Sequence, residues 1–207
     1  EKSKILFEKS SNAYKGIDTE LNALKRIVQL DKTENTSKLS QKIKVKEGFE
    51  NSVSHVLGES LEAGLIESSK PYWVKIENQN SIAYPDKTKP LIDFIDKPSF
   101  AKNLLMSVGL VETEEQAKHL QHNLLPGQAL TTEGGGLWRW DGFIIPPGSS
   151  SPTSEILKQT NRMRTLENEK VNSYKKLQND EKNFNNCFEN LKKIKSDINS
   201  ENSNLAQ

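Results

Sequence analysis

The sequence is poor in the residues from which most chemical sites are made. Its 207 residues include one cysteine, Cys187, which excludes an internal disulfide framework and any zinc site built on several thiolates. Cys187 flanks the heptad stripe and has no pattern of basic partners around it, so it reads as a buried or idle thiol and not as a nucleophile. No run of eighteen apolar residues occurs, so no segment reads as a membrane span, and the opening EKSKILFEKS lacks the apolar stretch of a secretory signal. Neither G-x-x-x-x-G-K-[ST] nor G-x-S-x-G is present, and the carboxylates show no recognisable pairing, so nucleotide binding through a phosphate loop and hydrolase chemistry find no support. Among three histidines, His119 and His122 share a helix face with Glu115 at i, i+4 and i+7. That spacing can hold a metal, but with no fourth ligand in view the plainer reading is solvated helix. Hydrophobic residues are scarce as well, at 33% with a mean hydropathy of -0.72. One compact globule of this length needs more, so much of the chain is expected to be solvated helix in a cytoplasmic protein. Glu1 stands where an initiator methionine would, and both ends lie in helix-like sequence, so a piece of a longer protein is expected.

What the chain does have is charge and period. Residues 1–46 carry 11 Lys and Arg against 6 Asp and Glu (+5), residues 47–150 carry 8 against 14 (-6), and residues 151–207 carry 10 against 8 (+2). The acidic middle separates two basic flanks, at Lys42, Lys44 and Lys46 before it and Lys158, Arg162 and Arg164 after it, so a nucleic-acid footprint is expected at those junctions. In the C-terminal flank Tyr174, Leu177, Glu181, Phe184, Phe188, Leu191, Lys195, Ile198, Asn202 and Leu205 follow three- and four-residue steps, predicting one helix from about 153 to 200. Leu6, Ser10, Ala13, Ile17, Leu21, Leu24 and Val28 form a shorter stripe at the start. Neither stripe can be buried alone. The chain must reverse between them, so residues 5–28 are expected to pack antiparallel against part of 165–195.

Between the flanks the pattern changes. DKTENTS (31–37) is a turn-rich break, Ile43–Val45 a brief strand, and Phe49, Val53, Val56 and Leu57 the apolar face of a helix. PYWVKIEN, with a strand candidate at 71–77, and PLIDFID read as strands, with the proline-broken loop SIAYPDKTKPL between them. SFAKNLLMSVGLV and TEEQAKHLQHNLL read as helices, the second capped by Thr113 with Gln116 three residues on. QALTTE and LWRWDGFII form a β-hairpin around three glycines. The sum is a small α/β domain with a mixed sheet, flanked by an antiparallel coiled coil: arm and junction over 1–46, domain over 47–150, returning arm over 151–207.

Alternation in LWRWDGFII places Trp138 and Trp140 on one face and Arg139 and Asp141 on the other. Two readings stand side by side. The tryptophans are the core of the small domain and Gly134, Gly135 and Gly136 its turn, or the side-chain-free backbone lets a second chain approach against Leu137 and Trp138. In a free turn, glutamate at Gly135 and Gly136 is expected to cost only about 1 kcal/mol, and Trp140→Ala is expected to unfold the domain.

The segments IKVKEGFENSVSHVLGESLEAG (43–64) and LLPGQALTTEGGGLWRWDGFIIPPG (124–148), within a likeness spanning about 40 to 165, resemble the hinge of bacterial structural maintenance of chromosomes (SMC) proteins, in particular the alphaproteobacterial branch. The resemblance implies an α/β hinge that homodimerises, through Gly134, Gly135, Gly136, Leu137 and Trp138. It implies weak, non-specific DNA association at Lys42, Lys44, Lys46, Lys158, Arg162 and Arg164. It also implies a kleisin partner and an ATP- and magnesium-binding head, both outside these residues, no cofactor or catalysis within them, and a nucleoid-associated protein of chromosome condensation and segregation. A scaffold or adaptor that binds another protein without a DNA role is the second reading that the residues leave open.

Overall fold

A computed structural model of the chain describes residues 1–29, 38–76, 84–96 and 100–205. They form two compact units, Glu1–Ile27 with Met163–Gln207, and Val28–Arg162. The break expected at 31–37 and part of the loop expected at 81–91 lie outside the described residues.

The first unit pairs helix α1 (Lys2–Gln29) with the distal part of helix α6 (Pro152–Leu205). Their direction follows from the contacts. Phe7 stacks on Phe184 with centroids 5.6 Å apart, Tyr14 meets Tyr174 at 5.6 Å, Lys170 donates to Asp18 at 2.5 Å, and Lys25 pairs with Glu167 at 3.4 Å. One number rises as the other falls, so the helices run antiparallel, as the two stripes require. The seam differs in detail from the expected one. Along α1 one line of shielded side chains runs through Ser3, Phe7, Ser10, Tyr14, Ile17, Leu21, Leu24 and Val28, with Ser11, Asp18 and Lys25 half-buried beside it, and along α6 one runs through Met163, Leu166, Lys170, Ser173, Leu177, Asp180 and Phe184, with Arg164 beside it. Phe7 and Tyr14 thus replace Leu6 and Ala13, while Ser173 and Asp180 replace the expected Tyr174 and Glu181. Leu6 is 53% exposed. The physical reason is the repeat itself. On α1 the observed set keeps unbroken alternating steps of four and three, the period a paired helix needs, where the expected set had two fours in succession, and it places a ring where the apolar pattern had offered Leu6 and Ala13. On α6 the expected set had the right period, and the more shielded residues lie one position earlier at 173 and 180 while Tyr174 meets Tyr14 from the margin. Among the described residues of this unit, Leu21 and Leu166 are the fully buried side chains.

The second unit is an α/β domain. Its helices are α2 (Leu39–Lys42), α3 (Glu50–Leu57), α4 (Lys102–Met106) and α5 (Glu114–Gln121), joined by the opening turns of α6. Strands β1 (Lys44–Val45) and β3 (Ile95–Asp96) pair with each other. Strands β2 (Lys89–Pro90), β4 (Val108–Leu110), β5 (Ala129–Thr131), β6 (Leu137–Arg139) and β7 (Ile144–Ile145) form a mixed sheet in the order β2-β4-β5-β6-β7. Among the described strands of this sheet β4 and β5 pair in parallel and the other neighbours antiparallel, and α5 makes the crossover between β4 and β5.

Local chemistry sets the boundaries. Thr113 Oγ1 accepts the Gln116 amide at 3.1 Å, while the Gln116 side chain accepts the Glu112 amide at 3.1 Å, so α5 starts at the cap that the sequence predicts. At α6, Ser151 and Ser154 exchange amide-to-hydroxyl bonds of 3.1 Å around Pro152, whose missing N–H is no loss in a first helical turn. Residues 99–111 do not form one helix. The described part splits into α4 and β4, because Ser107 turns its hydroxyl to the Leu104 carbonyl at 2.8 Å and Val108, Gly109 and Val111 favour extended chain. PLIDFID becomes a 3₁₀ turn (Leu91–Phe94) between β2 and β3, burying Leu91. Of the strand expected from 71, only a bridge between Tyr72 and Gly64 forms in the described part.

Both faces of the sheet are covered. One carries Val108, Ala129 and Leu137 against Phe49, Val53 and Leu157, and the other carries Leu130 and Trp138 against Val111 and Ala117, with Leu120 and Leu124 at its margin. The main core draws in Leu39, Ile43 and Val45 from before residue 47 and Leu157 from after residue 150. Asn161 joins α6 to the same unit, donating to the Val45 carbonyl at 2.9 Å and to Glu50 at 2.7 Å.

Candidate functional site: the glycine turn and the aromatic hairpin

The β5–β6 hairpin predicted around the glycines is present, and its turn is committed to the domain's own packing. Gly135 has φ +84, the region where a side chain is strained. Its amide donates to the Thr132 carbonyl at 2.9 Å, and the Gly136 amide donates to Thr132 Oγ1 at 3.1 Å. All three glycine carbonyls are taken: Gly134 accepts from the Gly148 amide (2.9 Å), Gly135 from His55 Nδ1 (2.6 Å), and Gly136 from Thr131 Oγ1 (2.7 Å). Since a carbonyl only accepts, that bond assigns the His55 proton to Nδ1. Ser52 adds a 2.7 Å bond to the Thr132 carbonyl, so α3 grips the turn at two points.

Space explains why the turn is glycine. A Cβ on Gly135 would sit 2.5 Å from Asn51 Cβ, and one on Gly136 would sit 2.5 Å from Trp138 Cζ3 and 3.0 Å from Pro147. At Gly134 the nearest neighbour is 3.7 Å away. Of the five residues expected at a dimer contact, Gly134 is exposed, whereas Gly135, Gly136, Leu137 and Trp138 are buried within their own domain. The expectation that glutamate at Gly135 and Gly136 costs only a turn penalty therefore does not hold, because both substitutions collide with α3 or with the Trp138 ring.

The two tryptophans also part company. Strand β6 ends at Arg139, and the chain turns back through Gly142 (φ +89) to β7, so LWRWDGFII is a second hairpin and not one strand. Trp138 is fully buried while Trp140, at the bend, is 46% exposed. The expectation of two core tryptophans thus fails for Trp140, and unfolding by Trp140→Ala is no longer expected. Arg139 pairs with Asp141 at 2.5 Å and lies 5.4 Å from the Phe143 ring centroid. Burial pushes the Asp141 carboxyl up, but the Phe143 amide and the Arg139 guanidinium outweigh it and hold the group below its ordinary value. Leu104, Trp140, Phe143 and Ile144 are 39%, 46%, 52% and 44% exposed. Beneath the first three opens a cavity of about 230 Å³, which His55 and Val56 also line. No signal in the sequence separated Trp140 from Trp138, since only the position of the bend does so.

The six basic residues do not form an uncommitted cluster. Lys42, Lys44, Lys46, Lys158 and Arg162 belong to the domain and Arg164 to the arm. Lys44 pairs with Asp96 at 3.0 Å, Lys158 with Glu155 at 2.9 Å, and Lys46 lies 5.4 Å from the Phe94 ring centroid. Burial draws the Arg164 guanidinium below its usual range, with Glu167 opposing. Glu115, His119 and His122 are exposed, and among the described residues no group of three or more potential ligands is placed to hold a metal. Cys187 is exposed. A wide groove of about 1120 Å³, lined by Lys38, Glu62 and Trp73 among others, contains the Lys38–Glu62 pair at 2.9 Å.

Two antiparallel helices and an α/β domain joined to them by the one long returning helix define a class: a coiled-coil arm that reverses through a folded joint. No protein-family model matches the chain. It is 32% identical over 147 residues to the chromosome partition protein Smc of Cereibacter sphaeroides, covering 70% of this chain, and 27% identical over 154 residues to that of Rhodopseudomonas palustris, covering 74%. The chain spans 13% of the length of each of these relatives. Its fold is similar to a crystal structure of an asymmetric dimer of the Geobacillus stearothermophilus SMC hinge domain, at a TM-score of 0.57 and 11% identity over 89% of this chain and 96% of that one. The chain belongs to the SMC family, as a hinge domain with adjoining coiled-coil segments, and the resemblance read from residues 43–64 and 124–148 is borne out.

Proposed function

We propose that this chain is the dimerising hinge of a chromosome partition protein, a joint that links two coiled-coil arms and performs no catalysis itself. The observation that carries the reading is the reversal. α1 and α6 run antiparallel to each other, and the sequence between them forms an α/β domain whose fold is similar to that of a solved SMC hinge, an asymmetric dimer. In the full protein the hinge acts with a head that binds ATP and magnesium and with a kleisin subunit, at the nucleoid in the cytoplasm.

Weak, sequence-independent DNA association belongs to the same proposal. Its support is the positive charge at the junctions, where Lys42, Lys44, Lys46 and Arg162 are exposed. If all six basic residues meet phosphates, log K falls against log salt with a slope of about -5. Reversing the six charges removes the binding, and undiminished binding after that change overturns the surface assignment. Sedimentation equilibrium of the 207-residue chain from nanomolar to high micromolar concentration tests the hinge reading. A dimer is expected, and a monomer throughout refutes it.

A further inference from the structure

We infer that residues 71–76 and the groove beside them receive an extended, basic segment of another protein as an added strand, a role separate from the joint proposed above. The backbone supplies the first ground. Lys38 bridges Gly64 and Gly64 bridges Tyr72, so residue 72 is the outer member of a three-segment ladder. The Gly64 amide donates to the Pro71 carbonyl at 3.0 Å, and the Trp73 amide donates to the Gly64 carbonyl at 2.8 Å. Those bonds use the inward side of the segment, and in such a ladder the amide and carbonyl of the residue between them point outward. The backbone groups of Tyr72 have no hydrogen-bond partner among the described residues, and neither do those of Val74. Pro71 does not blunt this edge, because its nitrogen lies on the same side as its bonded carbonyl. The five-stranded sheet, by contrast, carries proline at both edges, with Pro90 in β2 and with Pro146 and Pro147 directly after β7.

The side chains follow the same alternation. Trp73 packs on the main core with its indole N–H on the Ser60 carbonyl at 2.7 Å, whereas Tyr72, Val74 and Ile76 are 39%, 58% and 67% exposed. An exposed edge bearing aromatic and β-branched residues is a surface on which a strand adds, main-chain bonds giving affinity and alternate side chains specificity. The groove of about 1120 Å³ that Tyr72 and Trp73 line exceeds the roughly 300–1,000 Å³ of small-molecule sites, which favours a length of chain as its occupant. Charge decides the kind of chain. Among the described residues four charged side chains line the groove, Lys38, Lys70, Glu59 and Glu62. Lys38 is held by Glu62 Oε2 at 2.9 Å, and Lys70 has an interaction of its own. Glu59 is exposed with no partner among the described residues, and Glu62 Oε1 accepts no hydrogen bond. What the groove lacks is therefore donors for carboxylate oxygens, which a lysine or arginine of the incoming strand supplies.

The test uses the whole 207-residue chain and a fluorescein-labelled synthetic peptide that alternates valine with lysine, followed by fluorescence anisotropy at about 0.15 M salt, where charge attraction is screened beyond about 8 Å. Saturable binding is expected. Val74→Pro, which removes an outward amide, and Glu59→Lys are each expected to raise the dissociation constant at least tenfold. Glu115→Lys makes the same charge change on the exposed side of α5, outside the groove, and is expected to leave it within twofold. A second measurement does not depend on substitution: by amide hydrogen exchange in NMR, Tyr72 and Val74 are expected to exchange more slowly once the peptide is bound, and this decides the matter if Val74→Pro lowers the melting temperature. No saturable binding at millimolar peptide, equal affinity of the two variants and the control, or a valine–glutamate peptide that binds as tightly overturns the inference. Protection of the same two amides that grows with the concentration of the chain alone assigns the edge to a second copy and overturns it as well.

Discussion

Replacing Gly135 by alanine tests the claim that the glycine turn is a packing element and not a flexible spacer. Two costs add at this position. The backbone has φ +84, where an L side chain costs about 1–2 kcal/mol. The new methyl also lies 2.5 Å from Asn51 Cβ, and forcing an extra carbon into a filled site costs about 1–3 kcal/mol. Asn51 cannot swing clear, since its Cβ is fixed by the helix backbone. Relief requires α3 to move, which loosens the bonds from Ser52 to Thr132 and from His55 to Gly135. The sum is about 2–5 kcal/mol, and for a unit of this size each kcal/mol lowers the melting temperature by about 4 °C. Gly134→Ala is the internal control, because its added methyl meets only Pro147 at 3.7 Å without a positive φ, so its cost stays within about 0.5 kcal/mol. Thermal unfolding followed by circular dichroism and by calorimetry should therefore show a drop of about 8 °C or more for Gly135→Ala and about 2 °C or less for Gly134→Ala. Equal shifts, or a tolerated alanine at 135, would refute the packing account.

Three other outcomes follow from the same structure. Trp138→Ala should cost about 3–5 kcal/mol in urea unfolding, because the ring is fully buried, whereas Trp140→Ala should change the stability of the separated chain by well under half of that. Asn161→Ala removes the donor that meets both Val45 and Glu50, and with Glu50 buried the loss should be about 1–3 kcal/mol by the same measurement, with little effect if water replaces the amide. In the arm, the hydrogen bond from Lys170 lowers the Asp18 pKa, and the bond to Asp18 raises that of Lys170. The Asp18 contribution is thus present above its unfolded pKa of about 4 and lost as pH falls through the folded value. The Lys170 contribution is present below about 10 and lost as pH rises through its folded value. Helix content of the arm should be flat from about pH 5 to pH 10, and Asp18→Asn should flatten the acid limb; an acid limb that persists in that variant assigns it to other carboxylates.

Much of this architecture was legible from residue spacing. The capped start of α5, the length of α6, the antiparallel return and the hairpin at the glycines all rest on local chemistry that a sequence displays directly. The misses have a common cause. Whether Phe7 or Leu6 faces the partner helix depends on which rings lie opposite, and whether MSVGLV continues a helix depends on β5 waiting beside it, so neither is decided within its own segment. At the candidate site, three glycines beside two tryptophans were conspicuous, but their roles were not. Gly135 answers to Asn51, more than eighty residues away in sequence, and Trp140 leaves the core because the strand ends one residue before it.

The Asp18–Lys170 bond makes the arm a vernier. Sliding one helix by a heptad in one direction keeps every seam position on the seam, yet it brings Lys170 opposite Lys25 in place of Asp18, cation against cation. Sliding it the other way sets Lys170 opposite Ser11, with no carboxylate to meet it, and in each case the two aromatic pairs Phe7–Phe184 and Tyr14–Tyr174 are reduced to one, Tyr14 opposite Phe184 or Phe7 opposite Tyr174. With so few leucines on the seam, hydrophobic contact alone would barely distinguish these alignments. Polar and aromatic pairs make one of them the ground state, so the arm trades adhesive strength for a defined length between its fixed points.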